Sequence, residues 1–125
     1  MSGNYLLDTN AIIDLLKVNS IFSKLEKSAK FSLSFISELE LLSYKNIEPL
    51  EEKSIRNLIG KAGIIDINDK IKAETIRLRR KYNLKLPDAI ICATALSHDL
   101  TLITADEKLK NLQEIKSLSL NDICS

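Results

Sequence analysis

Four acidic residues of this sequence stand where an apolar strand gives way to the next segment or where a helix begins. They are Asp8, Glu40, Asp88 and Asp106, in the strings YLLDTNAIIDLL, SFISELELLSY, LKLPDAIICATAL and LTLITADEKL. In an open α/β sheet, strand ends and helix starts gather around one crevice at the carboxyl edge, so we expect the four carboxylates to converge. Because like charges repel, a hard cation such as Mg²⁺ or Mn²⁺ would stabilise them. The pattern indicates metal-dependent chemistry on a phosphate-bearing substrate.

Each of the four acids also has an ordinary structural explanation. Asp8 suits the cap of a first helix, and Asp88 complements a helix dipole. Glu40 suits the acid of a capping box that begins at Ser37. Asp106 suits a turn after a strand. Four independent coincidences at one edge of a sheet favour a shared site over four separate structural roles.

Hydroxyl and amide residues accompany two of the acids. Thr9 and Asn10 follow Asp8 and are expected to hold its carboxylate by hydrogen bonds, and Thr104 precedes Asp106 by two positions. Groups of this kind orient the ligands of a metal ion. Both threonines are equally explained as β-branched residues at strand ends.

The pattern of apolar residues predicts strands that alternate with helices. Strands are predicted at residues 4–8, 31–36, 63–67, 100–104 and 115–118. Helices are predicted at 9–17, about 20–28, from Ser37 onward, about 50–60 ending at Gly60, from Asn68 or Asp69 to Tyr82, 87–97 with Pro87 in the first turn, and after Asp106. Such alternation favours one α/β domain over residues 1–125, with a parallel sheet of about five strands covered by helices on both faces.

The helix predicted at 87–97 is apolar almost all the way round, so we expect it to be buried. Asp88 at its start should then face an opening, because burying an unpaired carboxylate is costly. Cys92 should be a buried thiol, and with Cys124 near the end of the chain it offers neither a disulfide framework nor metal-ligand spacing. The one histidine, His98, fits a group at a helix C-terminus better than a catalyst.

The overall composition excludes several classes of protein. Lys and Arg number 18 against 17 Asp and Glu, for a formal net charge of +1 in 125 residues, so bulk charge gives no argument for nucleic-acid binding. No apolar run is long enough to span a bilayer and no leader opens the chain, so we expect a cytoplasmic protein. A local basic cluster is the exception; it comprises Arg77, Arg79, Arg80, Lys81 and Lys85, and it suits either phosphate contact or a solvated helix face.

Taken in order, the four motifs D-T-N, S-x-x-E-L, L-P-D-A-I-I-x-A-x-A and T-x-D resemble those of the PIN domain. The similarity is greatest to the VapC-type ribonuclease toxins of toxin–antitoxin pairs, and it spans residues 4–118. The resemblance implies a three-layer α/β/α sandwich and a Mg²⁺- or Mn²⁺-dependent endoribonuclease acting on RNA. Glu40 rather than Glu38 takes the place of the second family acid, because it lies three residues after Ser37. The one mild departure is Ala105, where relatives often carry a polar or basic residue.

The resemblance also implies roles for the acids and for partner proteins. Asp8 and Asp88 would be direct metal ligands, with Glu40 and Asp106 completing the pocket or holding a second ion through water. A cognate antitoxin would lie across the active-site groove beside the helices at 9–28 and 50–60, and the toxin would form a homodimer. The sequence leaves open the target RNA, the identity of the antitoxin and the number of metal ions.

Other interpretations use some of the same residues. A receiver-like signalling domain would take Asp66 as phosphoacceptor and Lys116 as the strand lysine, although its first strand should end in two adjacent acids. A haloacid-dehalogenase-type phosphatase needs an acid where Asn10 stands. A PIN-like nuclease outside any toxin–antitoxin pair, or a PIN-like binding module, would share the fold.

Overall fold

The computed structural model describes residues 4–17 and 30–124. Its strands are β1 (Asn4–Leu7), β2 (Lys30–Ser34), β3 (Ile64–Ile65), β4 (Thr101–Ile103) and β5 (Ser117–Leu118). Its helices are α1 (Thr9–Lys17), α2 (Phe35–Leu42), α3 (Pro49–Ala62), α4 (Asp69–Tyr82), α5 (Leu86–Ser97), α6 (Glu107–Lys110) and α7 (Leu120–Cys124). The predicted helix at 20–28 lies outside the described residues.

The five strands form one sheet in the order β3-β2-β1-β4-β5, and every neighbouring pair is parallel. Leu7 at the end of β1 is in register with Leu33 of β2 and with Ile103 of β4. Because the central strands end level with one another, the residues that follow them meet at one edge. The predicted parallel sheet of about five strands is confirmed.

Side chains of the central strand enter two separate cores, one on each face of the sheet. Leu6 packs into a core formed chiefly with α4 and α5, whereas Tyr5 and Leu7 pack into a second core with α1, α2 and α3. This division follows from the alternation of side chains along a strand. The resulting three layers match the predicted α/β/α sandwich.

The predicted boundary between β2 and α2 was wrong. The strand ends at Ser34, whose hydroxyl accepts a hydrogen bond from the Ile36 amide at 3.2 Å and so caps the helix. Phe35 and Ile36, predicted as strand, therefore form the first turn of α2. Ser37 lies inside that turn and does not begin the helix.

The other boundary differences arise at strand ends and glycines. Asp8 and Thr104 are not strand residues, yet their amides still donate to Ile103 and Leu118 across the sheet, at 3.1 and 2.9 Å. The helix predicted to end at Gly60 continues to Ala62 and stops at Gly63, whose φ of 86° suits glycine. The strands predicted at 63–67 and 115–118 are each only two residues long, and α7 was not predicted.

The predictions for the remaining helices are confirmed in type and extent. Asn68 caps α4 by accepting a hydrogen bond from the Ile71 amide at 2.8 Å. Proline in the first turn begins α5, and its interior is buried from Ala89 to Ala95. Within the described ranges, no helix is long and apolar enough to cross a membrane.

Candidate active site

Asp8 lies at the centre of the sheet edge and is only 6% exposed. One carboxylate oxygen accepts a hydrogen bond from the Ala11 amide at 2.7 Å, so Asp8 caps α1. The other oxygen accepts a hydrogen bond from the Thr104 hydroxyl, which comes from the end of the neighbouring strand. The structural role and the position in the candidate site therefore coincide in this residue.

Thr104 connects Asp8 to Asp106. Its buried hydroxyl donates to Asp8 and accepts a hydrogen bond from the Asp106 amide at 3.1 Å. The Asp106 carboxylate in turn accepts from the amides of Lys108 at 2.8 Å and Leu109 at 3.3 Å, and so caps α6. Two of the four acids thus belong to one hydrogen-bonded chain.

Glu40 is held by Thr9. This differs from the sequence analysis, which expected Thr9 to hold Asp8 and Glu40 to form a capping box with Ser37. The Thr9 hydroxyl donates to the Glu40 carboxylate at 2.7 Å and lies 3.0 Å from the hydroxyl of Ser37. A hydroxyl has one hydrogen, so Ser37 must be the donor in the second contact. The capping box predicted for Ser37 and Glu40 is therefore wrong, and Ser37 is instead a fully buried support for Thr9.

The expectation that Thr9 and Asn10 hold the Asp8 carboxylate is also wrong. The hydrogen bonds to Asp8 come from Ala11 and Thr104, while Asn10 is exposed. The geometry explains the difference: Asp8 is an N-cap, and an N-cap oxygen accepts from an amide in the first turn of its helix. The sequence signal for Thr104 was its place at a strand end two positions before Asp106, and its hydrogen bond to Asp8 is a finding of the structure.

Asp88 is half-buried in the first turn of α5, and the charges of the other three acids affect its pKa. Burial raises that pKa above its ordinary value, and the charges of Asp106, Asp8 and Glu40 raise it further. The charge of Lys85 opposes them. The causes of this shift are burial and charges, without a hydrogen bond, so the charge of Lys85 is what offsets the carboxylate's loss of water.

The pKa of Asp8 is also raised, chiefly by burial. Its hydrogen bonds from Thr104 and Ala11 lower the pKa, whereas the charges of Asp106 and Asp14 raise it. Asp14 was not singled out from the sequence. Its only signal there is its place on the helix that Asp8 begins, and the structure adds its charge to those felt at Asp8.

The neighbouring thiol and the histidine offer no nucleophile or base. Burial, followed by the charges of Asp88, Asp106 and Asp8, raises the pKa of Cys92 to about 12, so the thiol stays protonated at neutral pH. His98 is the exposed C-cap of α5. At 1.5 Å per residue it stands about 15 Å along the helix axis from Asp88.

The side chains of the basic cluster point in different directions and have different partners. Arg77 and Lys81 bind Glu114 at 2.8 and 3.1 Å, and the Tyr82 hydroxyl also donates to that carboxylate. These donors lower the pKa of Glu114 to about 2. Arg79 donates to the Leu84 carbonyl at 3.2 Å. Arg80 is exposed, and the charge of Lys85 acts on Asp88.

The residues of the receiver-like alternative do not meet. Lys116 forms an ion pair with Asp99 at 3.1 Å, and both residues precede strands, at the amino edge of the sheet. Asp66 is exposed, and its carboxylate accepts from the adjacent Ile67 amide at 2.8 Å. Lys116 and Asp66 therefore lie at opposite edges of the sheet and do not form the phosphoacceptor site of a receiver domain.

The donor set of the site fits a hard divalent cation. Its groups are carboxylates, and oxygen ligands suit Mg²⁺ and Mn²⁺. The Cys92 thiol stays protonated, and His98 lies at the far end of α5. Across 4–17 and 30–124, no three acidic, histidine or cysteine side chains already form a cage for an ion. The carboxylates of Asp8, Glu40 and Asp106 are instead oriented by the hydrogen bonds described above.

Comparison with known protein families matches residues 5–115 to the PIN domain. Comparison with curated proteins finds no match. Residues 5–115 include all four acids of the site.

Solved structures share the fold over nearly the whole chain. VapBC2 from Rickettsia felis, bound to a DNA fragment from its promoter, is 20% identical with a TM-score of 0.81, covering 93% of this chain and 98% of that one. A toxin–antitoxin complex from Klebsiella pneumoniae is 31% identical with a TM-score of 0.73, covering 89% and 94%. VapBC-1 from nontypeable Haemophilus influenzae is 22% identical with a TM-score of 0.76, covering 93% and 97%.

The raised pKa of Asp88 leads to a prediction about stability. The folded protein binds a proton at Asp88 more readily than the unfolded chain does, so stability falls as pH rises through the raised pKa. Without metal, Asp88→Asn should stabilise the protein at pH 7 by up to about 1 kcal/mol after solvent screening. The gain should shrink as the pH falls through 3.8, the ordinary pKa of an aspartate, because the carboxyl then becomes protonated in the unfolded state as well.

Urea unfolding of the metal-free protein at pH 7 and pH 3.5 would measure this gain. Asp69→Asn is the matched control, because Asp69 is also an aspartate in the first turn of a long helix but is exposed. The control should be neutral or slightly destabilising, since it loses a favourable interaction with the helix dipole. A destabilised Asp88→Asn protein at pH 7 would contradict the charge interactions described for this site.

Proposed function

The chain belongs to the PIN domain family, and from this membership we propose that it is a Mg²⁺- or Mn²⁺-dependent endoribonuclease, the toxin of a toxin–antitoxin pair. Members of this family are generally nucleases that use a divalent metal ion. One observation carries the proposal: the charges of Asp8, Glu40 and Asp106 all act on Asp88. Carboxylates drawn from four separate segments of the chain thus share one electrostatic site.

Asp8 and Asp88 are the residues that would hold the ion directly. Asp8 is fixed by Thr104 and by the first turn of α1, so its direction is set before any ion binds. The pKa of Asp88 is shifted by burial and charges and not by a hydrogen bond from the described residues, so its carboxylate would be available to a cation. Glu40 and Asp106 would complete the acidic pocket or hold a second ion through water.

The chemistry proposed is hydrolysis of a phosphodiester. A divalent ion in this pocket supplies Lewis acidity toward the phosphate and a means of activating water near neutral pH. The protein's own groups orient the ligands and exclude water. Thr104 and Thr9 fix the carboxylates of Asp8 and Glu40, and the apolar body of α5 keeps water from the floor of the site. Cys92 remains protonated, so no covalent intermediate on this thiol is expected.

RNA is the proposed substrate, and Lys85 is the basic residue best placed to meet it. The charge of Lys85 acts on Asp88, so it would also attract a phosphate bound beside Asp88. Arg77 and Lys81 are neutralised in part by Glu114. Arg79 and Arg80 remain predicted contacts for more distant phosphates. The sequence of the target RNA stays open.

An apolar groove of about 630 Å³ supports the proposal of an antitoxin partner. It runs between α1, α2 and α3 and is lined by Ile13, Leu16, Lys17, Leu41, Tyr44, Lys45, Asn46, Ile47, Glu51, Ser54 and Ile55. Leu41 of the groove and Glu40 of the site lie on the same helix, and the proposal is that a chain seated in the groove extends from there to the acids. A basic side chain of that partner could then pair with carboxylates that otherwise hold the metal. A homodimer of the toxin within the complex stays a prediction.

Two of the alternatives share the fold and differ in their readouts. A PIN-like nuclease outside any toxin–antitoxin pair would cleave RNA but would bind no product of a neighbouring gene and would not slow growth when expressed. A PIN-like binding module would bind RNA without cutting it. The site favours a nuclease, because four mutually repelling carboxylates hinder the binding of an anionic polymer unless a cation joins them.

Metal binding is the first prediction of this proposal. Because an ion relieves the repulsion among the acids, Mn²⁺ should raise the melting temperature of the protein. At a free concentration one hundred times the dissociation constant, the stabilisation should reach about 2.7 kcal/mol. Differential scanning fluorimetry over millimolar MnCl₂ and MgCl₂ would measure it, with Asp8→Asn as the variant that responds weakly. An unchanged melting temperature of the wild-type protein would count against the site.

The second prediction concerns cleavage. Asp8→Asn and Asp88→Asn should each slow metal-dependent cleavage of RNA by more than the roughly 10- to 100-fold that outer-shell partners of a metal are worth. Glu40→Gln should slow cleavage as well, because the hydrogen bond from Thr9 holds the Glu40 carboxylate beside the start of α1. Glu38→Gln is its matched control on the same helix and should have little effect. The reverse order of the two glutamates would show that the wrong one has been assigned.

The third prediction concerns the groove. Tyr44 lines the groove and is 56% exposed. Tyr44→Ala should weaken binding of the small protein encoded beside this gene by about tenfold or more, since tyrosines that become buried on binding are frequent anchors of interfaces. Leu50→Ala is the control: Leu50 is 77% exposed and does not line the groove. Co-expression followed by size-exclusion chromatography with light scattering would measure the complex and its stoichiometry. A wild-type protein that ignores its gene neighbour would contradict the toxin proposal and leave the nuclease proposal standing.

A further inference from the structure

The turn between α4 and α5 is held by cationic side chains from two helices. Asn83 ends α4 in the left-handed conformation, with a φ of 54°. The Lys108 ammonium donates to the Asn83 carbonyl at 3.0 Å, and Arg79 donates to the Leu84 carbonyl at 3.2 Å. Carbonyls at a helix C-terminus carry partial negative charge and favour cationic donors. This turn leads directly into α5, which carries Asp88.

Lys108 contacts both Asp106 and the turn that precedes Asp88. Its backbone amide donates to the Asp106 carboxylate at 2.8 Å. Its side chain reaches across to Asn83, which is 25 positions earlier in the chain and five before Asp88. A single exposed residue of the short helix α6 therefore links the carboxylate of Asp106 to the turn that precedes α5 and Asp88.

Among residues 4–17 and 30–124, the other hydrogen bonds of the site connect acids other than Asp88. Asp106 is joined to Asp8 through Thr104, and Glu40 is joined to α1 through Thr9. Arg79 binds the turn that follows its own helix and so does not reach Asp106. Among the described residues, the Lys108 side chain makes the hydrogen bond that ties the turn before α5 to the Asp106 segment.

We propose that Lys108 is a positioning residue that sets the separation of Asp88 and Asp106 for metal binding. The proposal rests on the proposed function in one respect, namely that these two acids serve a common ion. Lys108 acts through the Asn83 carbonyl and does not touch the ion. Groups that orient metal ligands in this way contribute to affinity although they lie outside the coordination sphere.

The charge of Lys108 and its proposed positioning role predict opposite changes in metal affinity when Lys108 is removed. A lysine beside an acidic pocket repels a divalent cation, so removing its charge alone should tighten metal binding. If Lys108 positions the turn, removing it should weaken metal binding, because Asp88 and Asp106 lose their fixed separation. The direction of the change therefore distinguishes the two roles.

The experiment is a calorimetric titration of the full-length protein with Mn²⁺ alone. Lys108→Met should weaken the affinity by about tenfold, the lower end of the range for such partners. Lys108→Arg should restore it, since a guanidinium also donates to a carbonyl. Lys110→Met removes the same charge from the same helix, and no hydrogen bond to the Asn83 turn is lost with it. This control should bind Mn²⁺ as tightly as the wild type or more tightly.

A second readout needs no metal. Amide hydrogen exchange at residues 84–89 of the metal-free protein should be faster in Lys108→Met than in the wild type and unchanged in Lys110→Met. Lys108→Met with unchanged or tighter Mn²⁺ affinity would overturn the positioning role, and so would an equal loss in Lys110→Met. A wild-type protein that binds no Mn²⁺ is a different result, because it would overturn the proposed metal site itself.

Discussion

Repulsion among carboxylates at one sheet edge is the constraint on which the rest of this structure depends. The level ends of β1, β2 and β4 force the segments that follow them together, whatever charges those segments carry. Asp8 is almost fully buried there, and its pKa is raised although two hydrogen bonds oppose the shift. A fold with this geometry pays in stability for a site that a cation relieves, as is common where stability and function compete.

Helix N-termini supply part of the compensation within the protein. Asp8 and Asp106 cap α1 and α6 through backbone amides, and Asp88 lies in the first turn of α5. Each acid therefore meets the positive end of a helix dipole, which favours its ionised form. The structural explanation of these acids and their proposed role in the site are consequently not rivals: the contacts that cap the helices also hold the carboxylates in place.

The positions of the acids could be predicted from the sequence where a single strand end or helix start determines them. Their hydrogen-bond partners could not be predicted where those partners are distant in the sequence. The apolar strings before Asp8 and Asp106 locate both acids at the sheet edge. The support of Glu40 was missed because Thr9 is 31 positions away, and a capping box was the nearer explanation. Ser34 and Ser37 are alternative caps of equal chemistry, and only packing of the first turn decides between them. Charge spacing likewise could not reveal that Glu114 binds two residues of the basic cluster.

Control of such a site follows from the same electrostatics. A metal ion and a cationic side chain of a partner both relieve the repulsion among the acids, so each lowers the affinity of the site for the other, and this coupling is reciprocal. On the proposed function, an antitoxin seated between α1, α2 and α3 would therefore inhibit by occupying the site and also by stabilising the metal-free fold. Leu41, which lines the groove, lies on the same helix as Glu40, so on the proposed function one partner chain could provide both the apolar contact and the charge compensation.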